Sequence, residues 1–204
     1  MLLSAEQSQL VLVDYQERLM PVIHEGAWVL ENARRLAQLA ALFKVPCWGT
    51  EQNPARLGEN DAALKALCQQ TVGKMHFGAF EEPGLSELLR KPAAQAPQGN
   101  ARSLPRHLQK PRQQAQPARE QILIAGCEAH VCLLQTALGL LAEEEWEVWV
   151  VTDACSSRTE RNRDAAFDRL AAAGAELVTT EMVAFEWCRS AEQPEFKRML
   201  ELVK

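Results

Sequence analysis

Six short apolar runs, separated by longer stretches with apolar residues at helical spacing, leave this chain few ways to fold. The strand-like runs cover residues 10–13, 45–49, 71–74, 121–125, 147–152 and 176–178. Between the first two, Val29, Leu30, Ala33, Leu36, Ala37, Ala40 and Leu42 mark a helix over 27–43. A polar loop is expected over 50–60 and further helices over 61–70, 131–143 and 161–173, with Gly174 stopping the last. Two short helices follow the final strand. Strands alternating with helices imply βαβ units around a parallel sheet. The expectation is one α/β domain over residues 1–204, a Rossmann-like three-layer sandwich whose mostly parallel sheet of about six strands is flanked by helices. Such sheets gather their chemistry at the carboxyl ends of the strands. Asp14, Lys74, Cys132 and Asp153 all lie past strand-like runs, so this fold can bring them together.

One region breaks the alternation. Residues 90–119 hold seven Lys or Arg, no Asp or Glu, and five of the ten prolines. That composition cannot build a core and reads as an inserted linker or loop. Its functional alternative is a flap over the site or a contact with a neighbouring subunit or acidic partner. The whole chain carries a formal net charge of -5, which argues against a nucleic-acid partner. No apolar run approaches the ~20 residues that span a bilayer. The opening MLLSAEQSQL lacks the basic and small-residue features of a signal peptide. A cytoplasmic protein with no membrane partner is expected. The six cysteines (Cys47, Cys68, Cys127, Cys132, Cys155 and Cys188) form no C-x-x-C pair and read as reduced thiols, most of them buried packing.

Cys132 stands apart from the other five. It follows the apolar run 121–125, the glycine at 126 and a short turn, and it opens an apolar helical pattern. A helix N-terminus collects free N–H groups and partial positive charge, which favour a thiolate. Cys127, in the same turn, is too early to gain that field and ranks lower. A cysteine nucleophile needs a base or a positive neighbour. The histidines at 24, 76, 107 and 130 are one source. Asp14 is another, since a partly desolvated carboxylate can take a thiol proton, and Lys74 would hold the charged pair. No G-x-G-x-x-G follows a strand, which disfavours a nucleotide-binding domain.

Five segments, VLVDYQERLMPVI, VGKMHFGAF, ILIAGCEAHVCLLQTALGLL, VTDACSSR and TTEMVAFEW, resemble the isochorismatase-like cysteine hydrolase superfamily in order and spacing. The resemblance runs from about Leu10 to Trp187, interrupted by the basic region. It is strongest to the branch with TEQ after the second strand and G-x-E-A-H-V-C at the nucleophile. It implies Asp14 and Lys74 as partners of a Cys132 nucleophile. It also implies a cis peptide at Cys127–Glu128, which would turn the Glu128 N–H beside that of Cys132 as an oxyanion hole. Gln16, Trp48, Phe80 and His130 are expected to line the substrate pocket.

The implied reaction is cleavage of an amide or carbamoyl-type C–N bond of a small molecule through an acyl-enzyme. A catalytically idle scaffold or small-ligand-binding member of the same fold is the alternative. Nicotinamidases of the superfamily carry an Asp/His metal cluster after the second strand. Here Thr50-Glu51-Gln52-Asn53-Pro54 holds no histidine, so neither metal nor cofactor is expected. Isochorismatases of bifunctional siderophore proteins lack the nucleophilic cysteine that this chain has. The family also forms dimers and larger rings, so a homo-oligomer is expected, with the apolar segment 182–187 as a candidate contact.

Overall fold

Two of the apolar runs, the first and the fourth, become the centre of the sheet. The computed structural model describes residues 1–90 and 119–204. Strands β1 (Ser8–Val13) and β4 (Gln121–Gly126) pair in parallel, and every residue of both is buried. Near-continuous apolar sequence is what a strand covered on both faces requires. Around this pair lie β2 (Cys47–Gln52), β3 (Gln70–Lys74), β5 (Glu147–Val151) and β6 (Glu176–Val178). The order is β3-β2-β1-β4-β5-β6, and every pairing is parallel. This is the doubly wound order, in which the chain reverses direction across the sheet between β1 and β4.

Among the described residues, eight helices cover the sheet: α1 (Gly26–Leu42), α2 (Pro54–Leu57), α3 (Ala62–Leu67), α4 (Pro83–Arg90), α5 (Leu134–Leu141), α6 (Glu160–Ala172), α7 (Thr180–Cys188) and α8 (Phe196–Val203). Right-handed crossovers place α1 on one face and α5 and α6 on the other, because the two halves wind in opposite directions. Helices α7 and α8 return to pack on α1, whereas α4 joins the α5 side through the turn Ala79–Glu81. The three-layer α/β sandwich expected from the alternation is therefore present.

Four local differences matter. Thr50, Glu51 and Gln52 continue β2 rather than forming a loop, and all three are buried. Helix α3 is shorter than the 61–70 pattern, with Asp61 as N-cap accepting from the Leu64 N–H at 3.2 Å. Helix α4 went unread because its eight residues adjoin the basic region; its buried Leu85, Leu88 and Leu89 account for it. The basic region's ends belong to the domain itself. Arg90 closes α4 and bonds Glu145 at 2.8 Å and Glu143 at 2.9 Å, while Arg119 donates to the Ala5 and Ser8 carbonyls. Residues 91–118, the rest of that predicted insertion, lie outside the described residues.

Candidate active site

The carboxyl ends of β1, β2 and β3 converge on one buried ion pair. Register pairs Val13 with Thr50 and Gln52 with Lys74, so β2 and β3 run two residues past the end of β1 and carry Gln52 and Lys74 alongside the segment that begins at Asp14. The chain leaves β1 at Asp14 through a left-handed φ of 55°. Asp tolerates that region better than most residues. Lys74 Nζ lies 2.8 Å from Asp14 Oδ2, and both side chains are 0% exposed. Thr50 donates to Asp14 Oδ1 at 2.7 Å. Lys74 donates to Gln52 Oε1 at 2.6 Å and to the carbonyls of Phe77 at 3.1 Å and His76 at 3.3 Å. Its charge is thus enclosed by oxygen. Asp14 Oδ2 has the ammonium beside it but accepts no aligned hydrogen bond among the described residues. That oxygen keeps a lone pair for a proton.

Cys132 reaches this pair from the other half of the sheet. It lies in a single π-type turn, Ala129–Leu133, that runs into α5. Such turns are frequent at functional positions. Gly126 lets β4 close on β1 just before it: a Cβ there would meet the Val13 carbonyl oxygen at 2.4 Å. The peptide Cys127–Glu128 is cis, as the family resemblance implied. Thr136 accepts from the Ala79 N–H at 2.9 Å and donates to the Cys132 carbonyl at 2.7 Å, tying the turn before α4 to the cysteine. Cys132 is 6% exposed, and its Sγ lies 4.0 Å from Gln52 Oε1.

The expectation of a low thiol pKa is not met. Burial, and then the Asp14 carboxylate at hydrogen-bonding range, push the Cys132 thiol up to about 12, although Lys74 pulls the other way. Desolvation outweighs whatever the helix terminus contributes. Cys127 is fully enclosed, and burial raises its thiol to about 12 as well.

The remaining expected residues separate by position. Gln16 is fully buried, with Nε2 donating to the Gln52 and Gly58 carbonyls and Oε1 accepting from the Gln52 N–H. It is a strut behind Gln52. His130 uses both ring nitrogens, toward Ser157 Oγ at 2.9 Å and Asn162 Nδ2 at 3.3 Å, and so braces the turn before α6. Phe80 packs against Gly139 of α5 beneath the Arg90 guanidinium. Trp48 stands near the amino end of β2, where its indole donates to Gln9. Four residues of strand, roughly 13 Å, separate it from Gln52, which places it apart from the cluster. Asp153 accepts from the N–H and hydroxyl of Thr180, the first residue of α7, instead of joining the site. Glu128 pairs with Arg158 at 2.8 Å.

Thr50 and Gln52 are the site residues that the sequence reading missed. Their signal was a polar triplet between an apolar run and a proline, which looks like a loop unless a buried charge is waiting for it. Among the described residues no three of His, Cys, Asp or Glu gather to hold a metal. Glu51, the carboxylate of the Thr50–Pro54 stretch, accepts from the Asn60 N–H and pairs with Lys65.

The isochorismatase domain profile matches residues 111–182. Isochorismatase domain-containing protein 2 of Bos taurus is 33% identical over 197 residues, spanning 97% of this chain and 83% of its own length. The MAR1 ribonuclease structure from Caenorhabditis elegans superposes with a TM-score of 0.81 at 27% identity, covering 100% of this chain and 92% of that one. YcaC of Pseudomonas aeruginosa, with hexane-2,5-diol and covalent acrylamide, gives 0.79 at 23% identity, covering 98% and 91%. YcaC of Escherichia coli, described as an octameric hydrolase of unknown specificity, gives 0.76 at 24% identity, covering 99% and 87%. With its doubly wound sheet and relatives matched along nearly its whole length, the chain belongs to the isochorismatase domain family and carries that family's hydrolase fold.

Proposed function

We propose that this protein hydrolyses an amide or carbamoyl-type C–N bond of a small molecule, with Cys132 as nucleophile, Asp14 as general base and Lys74 as the fixed charge beside them. The observation that carries the reading is the buried Asp14–Lys74 pair with the Cys132 thiol within reach of both. Because the thiol stays protonated at neutral pH, attack is coupled to proton transfer rather than launched from a resting thiolate. Asp14 Oδ2 takes the proton as sulfur adds to the carbonyl carbon. Lys74 keeps the neighbouring charge balanced. The Glu128 and Cys132 N–H groups receive the developing oxyanion. Asp14 then gives its proton to the leaving nitrogen, and the C–N bond breaks. In the second half Asp14 deprotonates a water that attacks the thioester, releasing the acid and restoring the thiol.

The covalent acrylamide on the Pseudomonas aeruginosa neighbour supports a nucleophile in this fold that meets small amide-bearing molecules. A thiol only 6% exposed suits a small substrate better than a polynucleotide, despite the ribonuclease name of another neighbour. Cysteine chemistry of this kind suits a reducing, cytoplasmic setting. The octamer described for the Escherichia coli neighbour supports a homo-oligomer here too.

One observation favours a second reading. A thiol held near 12 is also what a catalytically idle, ligand-binding member would show. The deciding experiment screens small amides and ureido acids for ammonia release, with Cys132→Ala as the blank. Turnover lost in the variant supports the hydrolase. Tight binding of the same compounds with equal, background ammonia release by both proteins supports the idle member.

A further inference from the structure

Away from the site, two thiols face each other across the start of the sheet. Cys47 Sγ and Cys68 Sγ are 3.8 Å apart. Cys47 opens β2, and Cys68 caps the end of α3. The Gln69 N–H donates to the Cys47 carbonyl at 2.8 Å, and Trp48 pairs with Gln70. Neighbouring strands lie 4.7–4.9 Å apart, so two residues one step out of register have Cα atoms about 6 Å apart. That falls within the range a disulfide bridges. Gly49 leaves the space: a Cβ there would stand 3.2 Å from Cys68 Sγ.

We propose that Cys47 and Cys68 form a reversible intramolecular disulfide when the protein meets hydrogen peroxide. Cys68 is the half-buried member and the one an oxidant can reach, while Cys47 is buried behind it. Their shared hydrogen bond lowers the Cys68 thiol and raises that of Cys47, which makes Cys68 the attacking sulfur. The Cys68 thiolate attacks one peroxide oxygen: an S–O bond forms, the O–O bond breaks and hydroxide leaves. Sulfur is oxidised by two electrons and peroxide is reduced. Cys47 sulfur then attacks Cys68 sulfur; the S–S bond forms, the S–O bond breaks, and the Cys47 proton leaves with the hydroxyl as water. Cys127, Cys132 and Cys155, all with thiols raised by burial, react more slowly. The disulfide would join the amino ends of β2 and β3 and leave their carboxyl ends, with Gln52 and Lys74, unchanged.

The test treats the full chain with a small excess of peroxide, blocks remaining thiols with N-ethylmaleimide under denaturing conditions, and reads intact mass and tryptic peptides. Cleavage after Lys44, Arg56, Lys65 and Lys74 puts the two cysteines on separate peptides. The expected result is four blocked thiols out of six, one linked pair of peptides carrying Cys47 and Cys68, and full reversal by dithiothreitol. In Cys47→Ser the disulfide is absent, and dimedone labels Cys68 as its sulfenic acid. All six thiols still free after peroxide, a disulfide between another pair, or dimedone labelling of Cys132 ahead of Cys68 overturns the proposal.

Discussion

Lys74 directs its donors to Gln52 and two backbone carbonyls while standing 2.8 Å from Asp14, with no solvent contact on either side chain. A pair enclosed in this way adds little net stability, since both charges had to leave water, yet losing one partner strands the other. Lys74→Met should therefore cost about 3–5 kcal/mol in urea unfolding, and adding Asp14→Leu should recover much of it. A single-variant loss under about 1 kcal/mol would mean that the pair is not buried as described. The same carboxylate adds to burial in raising the Cys132 thiol. Burial and Asp14 hold the thiol near 12, so alkylation by iodoacetamide should keep accelerating with pH past the ~8.5 of a free thiol, with no plateau there. Asp14→Asn removes the negative neighbour and leaves Lys74, so the profile should move to lower pH. A plateau near 8.5 in the wild type would place Cys132 in a more open, polar setting. Asp14, Lys74 and Cys132 were readable because each sits beside an apolar run or an interruption in one. Trp48 was misread for the opposite reason: composition says nothing about which end of a strand a side chain occupies.

At the level of elements, the strands that carry the site differ in how plainly their sequences announce them. Strands β1 and β4 carry the apolar runs Leu10–Val13 and Ile122–Ala125 and were legible as strands. The carboxyl end of β2 is Thr50-Glu51-Gln52, polar in sequence yet buried, because Thr50 serves Asp14, Glu51 serves Asn60 and Lys65, and Gln52 serves Lys74. Hydrophobic patterning cannot see a strand whose partners are buried charges. The turn at Ala129–Leu133 was legible as a junction but not as a π-type turn, since helical periodicity continues through it. Gly126 is where the two central strands depend on one hydrogen atom. In Gly126→Ala the new methyl meets the Val13 backbone at 2.4 Å, and no flexible side chain can yield. The substitution should cost about 1–3 kcal/mol, read by urea unfolding, and should slow Cys132 alkylation or turnover by shifting the turn beyond it. Gly139→Ala, whose new methyl would meet Phe80 Cβ at 3.1 Å and the ring at 3.3 Å, should cost less, because that approach needs a shift of only a few tenths of an ångström. Equal costs would remove the special role of Gly126.

For the molecule as a whole, burial has enclosed several groups that must lose protons in alkali. Cys127 and Cys132 are pushed up to about 12, and Cys155 and Tyr15 also rise, all chiefly by desolvation. The folded state keeps these protons where the unfolded chain has released them. The resulting stabilisation is complete below the unfolded thiol pKa of ~8.5 and is lost as pH climbs toward the folded value. Each thiol can remove about 1.4 kcal/mol per pH unit in that window. Stability should thus fall steeply above roughly pH 9, and Cys127→Ala should flatten the slope even though the lost sulfur lowers stability at neutral pH. An unchanged slope would mean that the thiol is not enclosed. Assembly is argued from the outer surface. Helix α7 buries Val183, Ala184 and Trp187 against its own domain, so the apolar segment expected to meet another subunit is half used already. Met182 and Phe185 remain 46% and 44% exposed, and Trp28 lies open on α1. If the chain assembles as proposed through this surface, light scattering should show a multimer that Met182→Glu with Phe185→Glu reduces in size while the circular dichroism is kept. A multimer unchanged by both substitutions would move the contact to another face, and a wild-type monomer would refute assembly altogether.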